Sequence, residues 1–350
     1  MQSGRALFGS IIKLKRNGTM SKKKPTGIII GDALGIGPEI TVKALSDPSI
    51  YRACRPVLIG DAEIVKRALA ITQTDMIVRP VQAPDEAPIE YPNLNIIDLP
   101  SPELQREPQG KVSPISGRAL VTWFQRALAM AEGGILRSIV YAPLNKEAVH
   151  AAGFDFHDET DMMQAFSAEK ADMLLILSMA GKFRTASVPP LHLSLKRACE
   201  VLNKDVIVQS LKLLDGAMKD FGITEPVIGV AALNPHGGES GLHGDEEIRI
   251  IRPAVEEAIA QGIDARGPFP PDTVYLRGRN GEFDCVLGMF HDQTRIAMKL
   301  VSFRKIIYTV LGTPIQFVSV AHGTANDIAG KGIADAGNFK QALRYAGRIR

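Results

Sequence analysis

The segment TGIIIGDALGIGPEI, residues 26 to 40, passes from an unbroken apolar run through three glycines into a stretch that begins near Pro38. The apolar run predicts a buried strand, and a proline just inside the next periodic segment predicts the first turn of a helix. The glycines at 31, 35 and 37 do not form GxGxxG, so an ordinary Rossmann dinucleotide site is not supported. A glycine loop at a helix N-terminus could receive an anion, and a tight turn between strand and helix is the simpler alternative.

Similar units follow along the chain. Unbroken apolar runs predict further buried strands at RPVLIG, LNIID, SIVYAP, DMLLIL, VIGVAAL and DCVLGMF. Between them, SGRALVTWFQRALAMAEGG and NKDVIVQSLKLLDGAMKDFG have apolar residues at helical spacing, and each ends on a glycine. This alternation predicts an α/β fold with a largely parallel sheet.

Composition limits the class of protein. The chain has 350 residues, of which 45% are hydrophobic and 23% charged, so it is long and apolar enough for two domains. Its net charge is +3, but seven basic residues and no acid lie in residues 1–24, which leaves −4 for the rest. A weakly acidic body predicts no nucleic-acid partner, and no apolar run reaches the roughly 18 residues of a membrane span. No signal-peptide pattern opens the chain, so we expect a cytoplasmic protein.

Histidines follow three of the apolar segments. TASVPPLH ends at His192, VIGVAALNPH at His236 and DCVLGMFH at His291. Because ligands of open α/β sheets bind at the carboxyl ends of the strands, three imidazoles at one edge could bind a divalent metal. The alternative is three unrelated histidines that end strands. Three other histidines are expected at the surface: His150, His157 and His243. The seventh, His322, begins a glycine-rich loop near the C-terminus.

The loop HGTANDIAGKGIADAGN, residues 322 to 338, combines small residues with Asn326 and Asp327. Small residues would allow a nucleotide to approach the backbone closely. A plain loop that caps the following helix would have a similar composition.

Six motifs occur in the order found in a known family. They are GDALGIGPEI, APLNKEAVHAAG, LNPHGGESG, GPFPPDT, MFHDQ and HGTANDIAGKG. Through them, the chain from about residue 25 to its C-terminus resembles the 4-hydroxythreonine-4-phosphate dehydrogenase family, as a divergent member. HGTANDIAGKG is also similar to the adenosine-binding loop of isocitrate and isopropylmalate dehydrogenases. The resemblance implies a two-domain α/β/α sandwich of the isocitrate/isopropylmalate dehydrogenase type, with a cleft between the domains and no Rossmann fold.

The resemblance also implies how the chain is divided. Residues 1–24 are interpreted as a basic N-terminal extension, since Met20 lies just before the first strand. Residues 25–152 together with 327–350 would form one domain, and residues 153–326 would form a second that carries the metal and substrate residues. A homodimer whose active site takes residues from both subunits is expected.

The family's functional residues correspond to particular positions of this sequence. The three metal-binding histidines correspond to His192, His236 and His291. The catalytic positions correspond to Lys299, to Asp272 of the PxDT motif, and to Asp292 beside the third ligand. Lys299 is also expected to bind the substrate, together with Glu159, Thr160, Tyr308 and Phe317. The resemblance assigns cofactor binding to the loop that begins at His322, namely to His322, Gly323, Thr324, Ala325, Asn326 and Asp327.

The substrate positions depart from the family pattern. Glu159-Thr160 stands where the family has a His-Thr pair, and a carboxylate there would repel an anion. Tyr308 and Phe317 stand where the family has an asparagine and an arginine, and Ala321 replaces an aspartate. Loss of the arginine removes a fixed charge and its bidentate fork, so the sequence predicts altered recognition of the usual phosphorylated substrate.

The retained residues predict a metal- and NAD(P)-dependent dehydrogenase that oxidises a small hydroxy acid to a keto acid, with decarboxylation. The cofactors expected are NAD or NADP and a divalent metal, Zn, Mg, Mn or Co. Lys299 would assist proton removal from the alcohol or protonate the enolate. One alternative is a dehydrogenase of a cis-dihydrodiol dicarboxylate of the terephthalate type. Another is a catalytically silent ligand-binding relative. A branch that acts on phosphorylated four-carbon sugar acids is disfavoured by the lost cationic groups.

Overall fold

The computed structural model describes residues 24–348 except residues 85, 87, 157 and 191. His157, residues 1–23 of the predicted extension and residues 349–350 of the first predicted domain therefore lie outside the described part. Within it, no helix is both long and apolar enough to cross a membrane.

In the part of the chain that the structure describes, twelve strands form one continuous sheet with the order β3-β4-β2-β1-β5-β12-β11-β6-β7-β10-β8-β9. Numbered along the chain, they are β1 Thr26–Ile29, β2 Pro56–Gly60, β3 Ile77–Val81, β4 Asn93–Asp98, β5 Ser138–Tyr141, β6 Leu175–Ala180, β7 Phe183–Ser187, β8 Val227–Ala231, β9 Asp264–Phe269, β10 Cys285–Gly288, β11 Ile307–Leu311 and β12 Gln316–Val320.

The described residues also form twelve α-helices, several of which contact the sheet directly. They are α1 Gly37–Leu45, α2 Pro48–Ala53, α3 Ala62–Thr72, α4 Pro114–Glu132, α5 Lys146–Ala151, α6 Glu159–Phe166, α7 Leu195–Val201, α8 Lys204–Asp220, α9 Arg252–Ala260, α10 Pro271–Arg279, α11 His291–Val301 and α12 Gly337–Ala346.

The segment from β1 to α1 folds as its sequence predicts. All four residues of β1 are buried, and α1 begins at Gly37, one residue before Pro38. A Cβ at Gly37 would lie 2.4 Å from the carbonyl oxygen of Ile30, so the helix can start this close to its strand only with glycine. Gly31 has a φ of +77°, a left-handed conformation that glycine adopts without strain.

The seven apolar runs predicted as strands all contribute strands, and the predicted α/β fold is confirmed. Four further strands had no such signal: β3, β9, β11 and β12. The edge strand β3 is mostly exposed, and β9 contains two charged residues, a glycine and a proline. β7 appeared in the sequence only as part of the apolar segment before His192. Short strands with exposed or polar positions lack the unbroken apolar run that marks a buried strand.

Strand direction reverses in the middle of the sheet. The pairs β12–β11, β11–β6 and β6–β7 are antiparallel, and the pairs on either side of them are parallel. The strands β7, β10 and β8 are therefore parallel neighbours, and their carboxyl ends lie along one edge. Antiparallel β6 and β11 join this group to the group that contains β1, β5 and β12.

Candidate active site

Three neighbouring parallel strands deliver the three predicted metal ligands. His192 follows β7, His291 is the first residue of α11 after β10, and His236 follows β8. Because β10 lies between β7 and β8, all three histidines leave the same edge of the sheet. The rings of His192 and His291 lie 5.6 Å apart between centroids, which places this pair in direct proximity.

Each of the three imidazoles has a carboxylate on its Nδ1 atom. Nδ1 of His192 lies 2.7 Å from Asp158 Oδ2, and Nδ1 of His291 lies 2.6 Å from Asp292 Oδ1. The corresponding distance from His236 to Glu239 Oε1 is 2.8 Å. A carboxylate on one ring nitrogen holds the ring and leaves Nε2 to face a ligand, as metal-binding histidines commonly do.

The pKa shifts of His291 and Asp158 favour the protonation states that suit metal binding. Burial lowers the pKa of the His291 imidazole, although the hydrogen bond to Asp292 acts in the opposite direction. Burial disfavours the charged form of Asp158, but hydrogen bonds from His192 and Thr160 outweigh it and hold the pKa of that carboxyl well below its usual range. His291 is thus neutral at physiological pH, while Asp158 is ionised.

The structure does not gather all three histidines. Among the residues that it describes, no three His, Cys, Asp or Glu side chains stand close enough together to hold a metal ion. His236 lies on a loop, residues 235–241, in which His236, Glu239 and Ser240 all have positive φ angles. Such conformations are strained for residues other than glycine. Three imidazoles are suitable ligands for a divalent metal, and the structure brings two of them, His192 and His291, close together.

Glu159 and Thr160 open α6 next to Asp158, which caps the helix. Thr160 Oγ1 lies 2.5 Å from Asp158 Oδ1, so Thr160 helps to fix the carboxylate that holds His192. The carboxylate of Glu159 lies 3.6 Å from Lys146 Nζ, and its side chain is 18% exposed. Its negative charge therefore has a positive neighbour in Lys146, and it also acts on Arg295 and Tyr308.

No motif in the sequence singles out Arg295. It lies one helical turn after His291 on α11, so the two side chains project from the same face of the helix. It is 6% exposed, its guanidinium carbon lies 4.2 Å from the centre of the Tyr308 ring, and it donates a hydrogen bond to Ser178 Oγ. No carboxylate of the described chain lies within 4 Å of it. Burial lowers the pKa of Arg295, and the charge of nearby Glu159 opposes that effect.

The sheet explains why Tyr308 and Arg295 meet. Tyr308 of β11 is paired directly with Ser178 of β6, so both side chains lie on one face of the sheet, where α11 packs. Tyr308 therefore lies against Arg295, and its role in substrate binding stays a prediction. Phe317 is fully buried and stacks on Phe124 of α4, with ring centroids 5.9 Å apart. Its ring lies in the core, and a role in substrate binding stays a prediction.

Two predicted catalytic residues lie at the surface of the single chain. Lys299 is exposed on α11, two turns beyond His291, and Asp272 is exposed in the first turn of α10. Helix α10 contacts the loop that carries His236. Their catalytic roles stay predictions.

The predicted cofactor loop meets two other loops. The carbonyl oxygen of Thr324 accepts a hydrogen bond of 3.0 Å from the amide of Ile36, and a Cβ at Gly35 would lie 2.8 Å from Thr324 Cβ. A Cβ at Gly110 would lie 2.5 Å from the carbonyl oxygen of Asn326. The loops 31–37 and 322–327 therefore pack closely because glycine occupies these positions.

A buried polar atom at this junction lacks a partner. Oδ1 of Asn326 is buried and accepts no hydrogen bond from the described residues. Buried polar atoms are nearly always paired, so an unpaired acceptor in a loop of small residues suits a bound group that donates an N–H. The residues present at this junction therefore fit an adenosine-containing cofactor.

Comparison with known proteins places the chain in a family. The family model described as pyridoxal phosphate biosynthetic protein PdxA matches residues 52–346. A putative D-threonate 4-phosphate dehydrogenase of Symbiobacterium thermophilum is 36% identical over 94% of this chain and 97% of its own length. A 4-hydroxythreonine-4-phosphate dehydrogenase of Desulforapulum autotrophicum is 37% identical over 93% and 96%.

Solved structures agree with this result. The crystal structure of 4-hydroxythreonine-4-phosphate dehydrogenase from Klebsiella pneumoniae has a TM-score of 0.84 at 34% identity, covering 93% of this chain and 99% of that one. A terephthalate 1,2-cis-dihydrodiol dehydrogenase from Burkholderia xenovorans LB400 has a TM-score of 0.63 at 27% identity, covering 93% and 98%. These relatives confirm the predicted enzyme class, a dehydrogenase that acts on a CH–OH group, and the chain belongs to the PdxA family.

Proposed function

We propose that the protein is a metal- and NAD(P)-dependent dehydrogenase that oxidises the hydroxyl group of a small phosphorylated hydroxy acid to a ketone, followed by decarboxylation. The observation that carries this proposal is the carboxylate-oriented pair His192–His291, one helical turn from the buried guanidinium of Arg295. Relatives that cover nearly the whole chain are named for D-threonate 4-phosphate and for 4-hydroxythreonine 4-phosphate, and both compounds are phosphorylated hydroxy acids.

His192 and His291 would hold a divalent metal through Nε2, with His236 as the third imidazole. When bound, such an ion polarises a hydroxyl or carbonyl oxygen and stabilises negative charge on it. Asp158 and Asp292 fix the two assembled rings, so these residues would act as positioning residues.

Arg295 would bind the anionic group of the substrate. Its charge is held beside Tyr308 without a carboxylate within 4 Å in the described chain, and a guanidinium binds phosphate in a bidentate way. The positive charge that the family carries at the position of Phe317 is thereby supplied from α11. This relocation removes the sequence-based argument against a phosphorylated substrate.

Glu159 does not make the pocket uniformly negative. Lys146 lies 3.6 Å from it, and its own charge is close enough to act on Arg295. Glu159 would accept a hydrogen bond from a hydroxyl or ammonium group of the substrate, while Arg295 takes the anion. Replacing Glu159 with histidine should change the preference among substrates, and an unchanged preference would make Glu159 a bystander.

The loop 322–327 would bind the adenosine part of NAD or NADP, with Asn326 Oδ1 as an acceptor. The cofactor supplies the hydride acceptor. Lys299 would remove the hydroxyl proton or protonate the enolate left by decarboxylation. Undiminished turnover by Lys299→Ala would exclude that role.

A homodimer is part of the proposal. Ile296, Leu300 and Phe303, on and just after α11, are 59%, 83% and 70% exposed. Neighbouring exposed apolar side chains commonly mark a protein interface. A second subunit on this face would cover Lys299 and enclose the site.

We also propose that the chain forms two domains with a cleft between them. One domain comprises residues 25–152 together with 327–350, and the other comprises residues 153–326.

A second candidate is a dehydrogenase of a cis-dihydrodiol dicarboxylate. It is favoured by the terephthalate 1,2-cis-dihydrodiol dehydrogenase among the structural relatives and by the Tyr308 ring beside Arg295. Arg295 could bind a carboxylate of such a substrate as well as a phosphate.

The test is reduction of NAD and NADP by purified protein supplied with Zn²⁺, Mg²⁺, Mn²⁺ or Co²⁺. D-threonate 4-phosphate, 4-hydroxythreonine 4-phosphate and a cis-dihydrodiol dicarboxylate are compared before and after chelation. We expect metal-dependent turnover of a phosphorylated substrate, loss of turnover in His192→Ala, and normal turnover in the exposed control His150→Ala. Turnover of the dihydrodiol alone would select the second candidate, and no turnover of any substrate would favour a silent relative.

A further inference from the structure

A cavity of about 720 Å³ lies away from the candidate active site. Its walls come from the β6–β7 turn at Gly181, the end of α8, the start of β11 and α12. Gly181 lies just before β7 and Arg184 is its second residue, whereas His192 follows the carboxyl end of that strand. None of the described residues that line this cavity belongs to the cofactor loop 322–327 or to the histidine set.

The cavity walls carry an excess of positive charge. One acid, Asp220, accompanies five basic residues among the described lining residues: Arg184, Lys219, Lys305, Arg344 and Arg348. Two of the basic residues have carboxylate partners, since Lys219 lies 2.7 Å from Asp215 and Arg344 lies 3.0 Å from Asp47.

The other three basic residues lack a carboxylate partner within 4 Å in the part of the chain that is described. Nη1 of Arg184 donates to the carbonyl oxygens of Lys182 and Asp284, which hold the guanidinium in place without neutralising it. Lys305 and Arg348 are exposed. Concentrated positive charge in a concave site attracts anions and raises their local concentration.

One wall of the cavity is aromatic. The rings of Phe221 and Tyr345 meet edge to face, with centroids 5.7 Å apart. The guanidinium carbon of Arg184 lies 5.8 Å from the centre of the Phe221 ring. Aromatic and guanidinium planes are surfaces on which a nucleobase stacks, and fixed cations beside them suit phosphates.

We propose that this cavity is a second ligand site, which binds a nucleoside di- or triphosphate. Its volume lies in the range of roughly 300–1,000 Å³ that is typical of small-molecule sites. Arg184, Lys305 and Arg348 contact the phosphates, and Phe221 and Tyr345 contact the base. The site is separate from the one that takes NAD(P) and the hydroxy acid.

The experiment is calorimetric titration of the full chain with ADP and, separately, with inorganic pyrophosphate, in the presence of saturating NADH. NADH fills the cofactor site, so binding that remains is assigned elsewhere. The double variant Lys305→Glu/Arg348→Glu is compared with Lys212→Glu/Arg279→Glu, which makes the same charge change at exposed residues outside the cavity. All four side chains are exposed, so both variants should fold, which circular dichroism checks.

We expect ADP to bind the wild type, and its Kd to rise at least about tenfold in the cavity variant and less than about twofold in the control. Pyrophosphate should bind more weakly than ADP because it lacks a base. The proposal is overturned if ADP fails to bind at millimolar concentration, if NADH competes with it fully, or if both double variants lose the same affinity. Equal affinity for pyrophosphate and ADP would overturn the assignment of the aromatic wall.

Discussion

Replacing Arg295 with methionine should lower activity strongly while leaving stability nearly unchanged. Arg295 is 6% exposed, and its guanidinium has no carboxylate within 4 Å in the described chain. Burying such a charge costs several kcal/mol, so a methionine of similar volume relieves that cost. Against this, the variant loses a cation–π contact with Tyr308 of about 1–2 kcal/mol and leaves the buried Ser178 hydroxyl without its partner, at about 1–3 kcal/mol. The two sides nearly cancel, and we expect the free energy of unfolding to change by less than about 1.5 kcal/mol.

The loss of catalytic activity in Arg295→Met is not compensated in this way. If Arg295 binds the substrate anion, its loss removes a charge-assisted interaction of about 3 kcal/mol, which corresponds to about a hundredfold fall in kcat/KM. Arg295→Lys keeps the charge but lacks the planar fork, so it should recover only part of the loss. The assays are steady-state kinetics with a phosphorylated hydroxy acid and urea denaturation of the same preparations.

Two results would refute the reasoning. The first is a kcat/KM for Arg295→Met within about threefold of the wild type. The second is a loss of unfolding free energy above about 3 kcal/mol, which would show that Arg295 is chiefly structural. A non-phosphorylated analogue serves as the internal control, because its weaker turnover should not fall further in the variant.

Three further predictions concern other parts of the molecule. Gly117→Ala places a Cβ 2.0 Å from a carbonyl oxygen of α5, so thermal denaturation should show that the free energy of unfolding falls by about 2–3 kcal/mol. In the control Gly216→Ala the new Cβ meets open space, and the free energy of unfolding should rise by up to about 1 kcal/mol. Burial raises the pKa of Asp32, so the folded state holds this proton more tightly than the unfolded state and the free energy of unfolding falls as pH rises from about 4 through the raised pKa. Asp32→Asn should remove this pH dependence from denaturation curves, and an unchanged pH dependence would contradict the prediction. Phe317→Leu should cost about 1–2 kcal/mol of stability by denaturation yet leave KM unchanged, and a raised KM would restore its predicted role in substrate binding.

Local patterns in the sequence predicted much of the fold. Unbroken apolar runs indicated seven strands, and glycines and prolines indicated where helices begin and end, because these signals depend on residues only a few positions apart. Three histidines after apolar segments predicted a shared sheet edge, and the structure places all three after the carboxyl ends of neighbouring parallel strands. Family motifs in fixed order identified the enzyme class, which the relatives confirm.

The remaining features depend on residues that are distant in the chain. Arg295 looked like an ordinary helix residue, because the pairing of Tyr308 with Ser178 beneath it arises only when β11 joins β6. Phe317 corresponds to a substrate position, yet the register of β12 against β5 turns its ring toward Phe124 and into the core. Alternate side chains of a strand point to opposite faces, so the strand's neighbours and register decide which side chain reaches the site. The sequence alone thus determined the fold class, the family and the edge that bears the histidines, whereas tertiary pairing decided which charge and which ring lie beside them.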